Sequence, residues 1–332
     1  MSKPNIPALE KTPARLNNSE FTTTDLLMFF TVLIWAVNFS VVKVALREFS
    51  PHAFNGVRLS LASLLLVLFL WKKEGGLSLR GRDWPKVLVL GVIGNTFYQT
   101  LFINGIERTT ASNTSLIMTT TPIFIALMSA IFIRERIHWA GWMGIFTSFG
   151  GLYLILFGPS FSLSLTGQEL RGNLFILLGN LCWATYTVFS KPLLDRFSPL
   201  KLTTLTLASG TLFYLAVAAP DIGRFSWASL SRRSWALLLF SAVFAIALGY
   251  LIWYSSVRRV GNTKTGIYSN ITPVLTVFFA HFFLAERVTI YQVAGAVIIF
   301  FGFYMTRSGY RWFERKKLKV VSEGREFCGP EG

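Results

Sequence analysis

The sequence predicts an all-α membrane protein, ten transmembrane helices arranged as two inverted five-helix repeats. Three observations carry that prediction. The 332 residues are 52% hydrophobic and 14% charged, with a mean hydropathy of +0.51, whereas a soluble chain carries about a quarter charged residues. The apolar residues gather into runs of roughly spanning length, about 20 residues. One unit, moreover, is written twice, and an internal repeat decides the architecture before any single element does.

The duplication is read from two stretches. Residues 35–51 are WAVNFSVVKVALREFSP and residues 183–199 are WATYTVFSKPLLDRFSP, so Trp35 and Trp183, Lys43 and Lys191, and Pro51 and Pro199 each stand 148 residues apart. Downstream, Pro122 matches Pro273 and Glu135 matches Glu286, both at 151 residues. The apolar runs lie near 26–46, 54–71, 86–106, 111–131, 138–157, 174–194, 201–219, 235–256, 262–284 and 288–306. Each is expected to be a helix, because a backbone in lipid must satisfy its own hydrogen bonds. The chain then divides into a disordered tail (1–21), a first repeat (22–158), a second repeat (170–306) and a basic tail (307–332).

Charge placement gives the orientation. The side holding both termini receives 22 of the Lys and Arg residues and the opposite side 7. Basic residues are retained on the inner face, so both termini are expected in the cytoplasm and the protein in a bacterial inner membrane. Five spans per repeat is an odd number, so the second copy enters the membrane upside down. Inverted repeats are a transporter architecture, with the solute site near mid-membrane between the repeats.

Other classes are poorly served. The net charge of +16 lies between the apolar runs, where topology needs it, so no nucleic-acid partner is expected. Cys182 lies in an apolar run and Cys328 in the polar tail, an improbable disulfide pair. A cleavable signal is not expected, since the first polar stretch is too long. No phosphate-binding loop, zinc spacing or nucleophile elbow appears in a suitable context, so no catalytic residue, cofactor or metal is expected. All sixteen acidic residues fall in tails, loops or span ends, which leaves no evident mid-membrane carboxylate relay.

The repeated blocks also resemble a known family. WAVNFSVVK followed by a proline and RLSLASLLL resembles the start of an EamA-type domain. TTASNTSLIMTTTPIFIALMSAIFIRERI with the glycine-rich GWMGIFTSFGGLYLIL is similar to its second part. The second half repeats the pattern in GNTKTGIYSNITPVLTVFFAHFFLAERV and GAVIIFFGFYM. Over residues 22–306 the chain resembles a ten-span member of the drug/metabolite transporter superfamily. The resemblance implies a central cavity lined by the first, third, fourth, sixth, eighth and ninth spans. It leaves the cargo open, since such families include amino-acid and metabolite exporters.

The candidate site residues follow from spacing. Trp35, Asn38 and Phe39 share one helix face, as do Trp183, Tyr186 and Thr187 in the other copy. Asn95, Tyr98 and Gln99 share a face of the third span, and Tyr250, Trp253 and Tyr254 one of the eighth. Tyr268 and Asn270 precede Pro273. Such rings and amides suit an amphipathic solute. The bland alternatives are an aromatic belt and ordinary interhelical hydrogen bonds. Pro122 and Pro273 are expected to kink their spans and act as gate hinges. Lys43 and Arg58 are candidates for a charge role, supplying positive potential for a carboxylate or phosphate, although Lys43, Arg58 and Lys191 can each snorkel to an interface. His281 is expected to be a hydrogen-bonded packing residue rather than a proton carrier. Glu135 and Glu286, at span ends beside Arg136 and Arg287, are expected to be solvated loop charges, with a gating or packing ion pair as the alternative.

The function these features predict is secondary transport by alternating access, exporting small amphipathic metabolites such as amino acids. A multidrug exporter of apolar cations and a non-transporting membrane interaction protein are the alternatives. The expected partners are a small-molecule solute and the lipid bilayer. Oligomeric state is not legible, and a monomer is compatible with every feature.

Overall fold

The repeated Phe-Ser-Pro is a helix start. Ser50 precedes a helix whose first residue is Pro51. Ser198 precedes one that begins at Pro199, and its hydroxyl accepts from the Lys201 N–H at 3.0 Å. Proline fits the first helical position because its missing N–H would have no partner there. The computed structural model describes residues 22–76, 79, 81–132, 139–157, 167–302 and 304–305, and among them the chain is helical with no strand.

The helices follow the apolar runs. They are α1 (Thr23–Ala45), α2 (Pro51–Glu74) and α3 (Gly81–Arg108). Next come α4, in the two segments Ala111–Met118 and Thr121–Phe132, then α5 (Trp139–Phe157), α6 (Gln168–Leu194) and α7 (Pro199–Arg224). Then follow α8 (Arg232–Val260), α9 in the segments Asn262–Tyr268 and Thr272–Leu284, and α10 (Ile290–Gly302). Among the described residues 7 helices are long and apolar enough to cross a membrane, while the apolar stretches Trp142–Ile155, Thr272–Leu284 and Ile290–Gly302 are shorter. Large apolar side chains cover the outside, with Leu212 71% and Phe146 70% exposed. In water such a surface would aggregate; in a bilayer it is solvated by lipid.

Small residues let the helices close on one another, as expected where lipid offers no hydrophobic drive between them. A Cβ on Gly91 of α3 would lie 2.7 Å from the Thr206 carbonyl of α7, and one on Gly151 of α5 2.6 Å from the Gly295 carbonyl of α10.

The expected proline kinks are interruptions instead. Helix α4 stops at Met118 and resumes at Thr121, with Pro122 second in the new segment. The carbonyls of Leu116, Ile117 and Met118 accept from the hydroxyls of Thr119, Thr120 and Thr121 at 2.7, 2.7 and 2.6 Å. Asn180 of α6 supports the break, donating to the Thr120 hydroxyl at 2.8 Å and accepting from that of Thr121 at 2.5 Å. Helix α9 is interrupted by the tight turn Ser269–Ile271, after which Pro273 opens the second segment. Each proline thus sits where its missing N–H is tolerated.

Two further irregularities are matched between the halves. Val92–Phe97 of α3 and Ser241–Leu248 of α8 are wound as π-helix. Such segments are rare and occur mostly at functional sites.

The ends of the bundle are clasped by polar contacts. At one end Tyr268 donates to Asp25, and Arg196 makes a two-bond fork on the buried Asp83 carboxylate at 2.7 and 3.0 Å. At the other, Glu286 takes the N-terminus of α4, accepting from the N–H groups of Ala111 and Ser112 at 2.8 and 3.0 Å and from the Ser112 hydroxyl at 2.6 Å. The two tails and Glu135 lie outside the described residues.

Candidate functional site

The site is built from the repeated Trp-Ala blocks. Trp35 of α1 and Trp183 of α6 meet edge to face, with ring centroids 6.2 Å apart. Trp253 of α8 closes the group at 5.3 Å from Trp35 and 5.9 Å from Trp183. Tyr250 lies 4.9 Å and Tyr98 5.2 Å from Trp183. These rings wall a cavity into which both interrupted helices open, with Met118 and Thr121 contributed at the α4 break and Ser269 and Thr272 at the α9 break. Discontinuous helices at equivalent places in two halves mark the solute sites of transporters.

The polar part of the wall is one connected network. Arg58 of α2 donates to the side-chain oxygens of Asn55 and, at 2.8 Å, of Gln99. It also donates to the Ser241 hydroxyl at 3.0 Å. Gln99 in turn donates to the Tyr250 hydroxyl at 2.8 Å, and Ser241 donates to the Asn38 amide oxygen at 2.6 Å. The guanidinium lies 5.4 Å from the Phe54 ring centroid and 5.9 Å from that of Phe102. Arg58 is 1% exposed, so of its two readings, a charge role and snorkelling to the interface, the snorkelling one does not apply. Its side chain turns into the bundle, where neutral amides and hydroxyls hold it.

Of the residues singled out by spacing, Trp35, Asn38, Phe39, Tyr98, Gln99, Trp183, Tyr250 and Trp253 line the cavity, joined by Arg58. Others stand in a layer behind it. Tyr186 donates to or accepts from the Thr206 hydroxyl at 2.5 Å and packs on Tyr254 at 4.9 Å, and both are fully buried. Asn95 is turned towards α7, donating to the Thr206 carbonyl at 3.1 Å. Tyr268 is committed to Asp25. The side chain of Asn270 lies outside the described residues.

Lys43 is also placed differently from a group free to meet a solute. Its ammonium donates to the carbonyls of Ile106, Glu107 and Thr109 at 2.9, 3.3 and 2.6 Å. A cation on the carbonyl end of a helix is favoured by the helix dipole, and all three of its donors are engaged. Lys191 pairs with Asp195 at 3.0 Å, and His281 with the Glu286 carbonyl at 3.2 Å.

Spacing missed several lining groups. Phe102 lies one turn beyond Tyr98 on the chosen face of α3 and was within reach of the same argument. Ala245 and Ile246 line the cavity from the π segment of α8, whose winding has no signature in composition. Glu286 is a helix cap joining two helices, where a free loop charge was expected.

A lipid-facing helical bundle with an aromatic and polar cavity at two helix breaks defines an integral membrane transporter. Comparison with known proteins places it further. The model of the EamA-like transporter family matches residues 22–157 and again 170–308, and the chain belongs to that family, a transporter rather than an enzyme. The uncharacterized transporter YyaM of Bacillus subtilis (strain 168) is 29% identical over 285 residues, covering 86% of this chain and 92% of its own. An uncharacterized transporter of Archaeoglobus fulgidus is 27% identical over 283 residues, covering 85% and 96%. A solved crystal structure, 17% identical, superposes with a TM-score of 0.64 over 89% of this chain and 100% of its own. That last likeness is one of fold.

Proposed function

We propose that the chain is a ten-span secondary transporter of two inverted five-helix repeats, 22–158 and 170–306, that exports small amphipathic metabolites by alternating access. Both termini lie in the cytoplasm of a bacterial inner membrane in this reading, following the Lys and Arg asymmetry. Amino acids and related compounds are the leading cargo.

One observation carries the reading. The two repeated tryptophans and the two helix breaks converge on a single cavity. A site shared by both repeats is what rocking one against the other would open to each side in turn. The end clasps, Glu286 on α4 at one side and Asp25 with Tyr268 at the other, are the contacts such a motion would break alternately. Apolar cations are a weaker fit, because a guanidinium and no acidic side chain lines the cavity among the described residues.

The test is solute counterflow in proteoliposomes with purified protein, using a panel of amino acids and related metabolites. Accumulation of at least one of them, above protein-free vesicles, is the expected result. No movement of any, in vesicles whose protein is correctly folded, defeats the proposal.

A further inference from the structure

We propose that Arg58 is the anion-recognition residue of the cavity and that the cargo carries a single carboxylate. The inference rests on the transport reading above and names the chemistry of its substrate.

Arginine stays protonated in proteins. A buried charge is ordinarily paired with a counter-charge. Among the described residues Arg58 has none: its protein partners are Asn55, Gln99 and Ser241, all neutral. The ion pairs among the described residues join Arg108 with Glu107, Lys191 with Asp195, and Arg196 with Asp83, and none involves Arg58. Three of the five guanidinium donors are engaged in these bonds, and the buried Nε–H has no acceptor among the described residues.

The network therefore orients the charge without neutralising it. Gln99 is itself fixed by Tyr250, and Ser241 by Asn38. Holding a cation in a set position, with a donor to spare, is the preorganisation that a carboxylate ligand exploits. The single guanidinium matches a single negative charge. Lys43, the other basic candidate, is saturated by three carbonyls and stands apart from the lining, so a dianion would be left half-compensated. The rings of Trp35, Trp183 and Trp253 supply the apolar remainder.

The competing role is purely architectural, with Arg58 tying α2 to α3 and α8. Three probes sharing one ring separate the two: phenylacetate, L-phenylalanine and phenethylamine, titrated against purified protein and tested in counterflow. The two carboxylates are expected to bind about 10-fold or more tightly than the amine. Arg58→Gln is expected to weaken both carboxylates by about 10- to 100-fold, the scale of a charged hydrogen bond, and to leave the amine bound no more weakly than before, since a like charge is removed. Arg58→Lys should fall between, keeping the charge and losing the planar fork. An architectural role would lower the melting temperature without changing the rank order of the probes.

The proposal is overturned by equal or tighter binding of the amine, by a carboxylate preference that survives Arg58→Gln, or by failure of both carboxylates to bind. If the Gln variant does not fold, the rank order on the wild-type protein decides alone. Arg58-dependent binding without counterflow would refute the transport reading and leave the recognition site standing. Counterflow of all three probes without charge preference would do the reverse.

Discussion

Trp35 donates its indole N–H to the carbonyl of Ala245 at 2.8 Å. Ala245 lies in the π segment of α8. The bond joins α1 to α8 and sets the plane of a cavity ring. It also explains Gly249, one turn further along α8.

A Cβ on Gly249 would stand 2.7 Å from the Trp35 indole nitrogen. Gly249→Ala is therefore expected to push the ring from its seat at about 1–3 kcal/mol, the usual cost of overpacking. Initial transport rate and melting temperature should fall together. A variant with the wild-type values of both would show that Trp35 has room to move.

Trp183 stands at the centre of the aromatic group, in contact with Trp35, Tyr98, Tyr250 and Trp253. Trp183→Ala is expected to weaken cargo binding by about 1–3 kcal/mol, the scale of a large apolar side chain. Titration of purified protein measures it. Wild-type affinity for a verified cargo, in a folded variant, would place the cavity elsewhere.

Pro122 and Pro273 each stand second in the helical segment that follows a break beside the cavity. Replacing either with Ala restores an N–H able to reach back across the break, which should extend the helix and stiffen it. Transport is expected to slow while insertion and folding persist. Unchanged rates in both variants would reduce the prolines to fixed helix starts.

Glu286 caps α4 from the connection between α9 and α10. Glu286→Ala should cost about 0.5–2 kcal/mol, as loss of a helix cap does. The readout is thermal unfolding of the purified protein. A melting temperature equal to that of the wild type would mean the clasp holds nothing in the resting protein.

The 22 to 7 distribution of Lys and Arg predicts a cytoplasmic C-terminus. A reporter fused after Gly332 should be active only in its cytoplasm-reading form. A periplasmic signal would invert the orientation proposed here.

The sequence by itself determined that the chain is a helical membrane protein written twice, because hydropathy, charge scarcity and repetition are properties of linear runs. It determined the rings too: Trp35, Asn38, Tyr98, Gln99, Trp183, Tyr250 and Trp253 share faces by helical spacing alone, and these faces meet around one cavity. Only the tertiary structure decided what stands behind that wall. Tyr186 and Tyr254 follow the same spacing as their neighbours, yet they pack on each other, since a helix face is wider than the strip that reaches a cavity. Arg58 is the sharpest case. Near the start of an apolar run its charge could serve a solute or seek the interface, and it turns inward because Gln99 of α3 and Ser241 of α8, distant in sequence, place acceptors within its reach. The same holds for Thr119–Thr121 and Asn180, whose hydrogen bonds turn an expected proline kink into a break. Spacing along one helix specifies a face; which partner completes it depends on contacts between segments that the linear pattern does not encode.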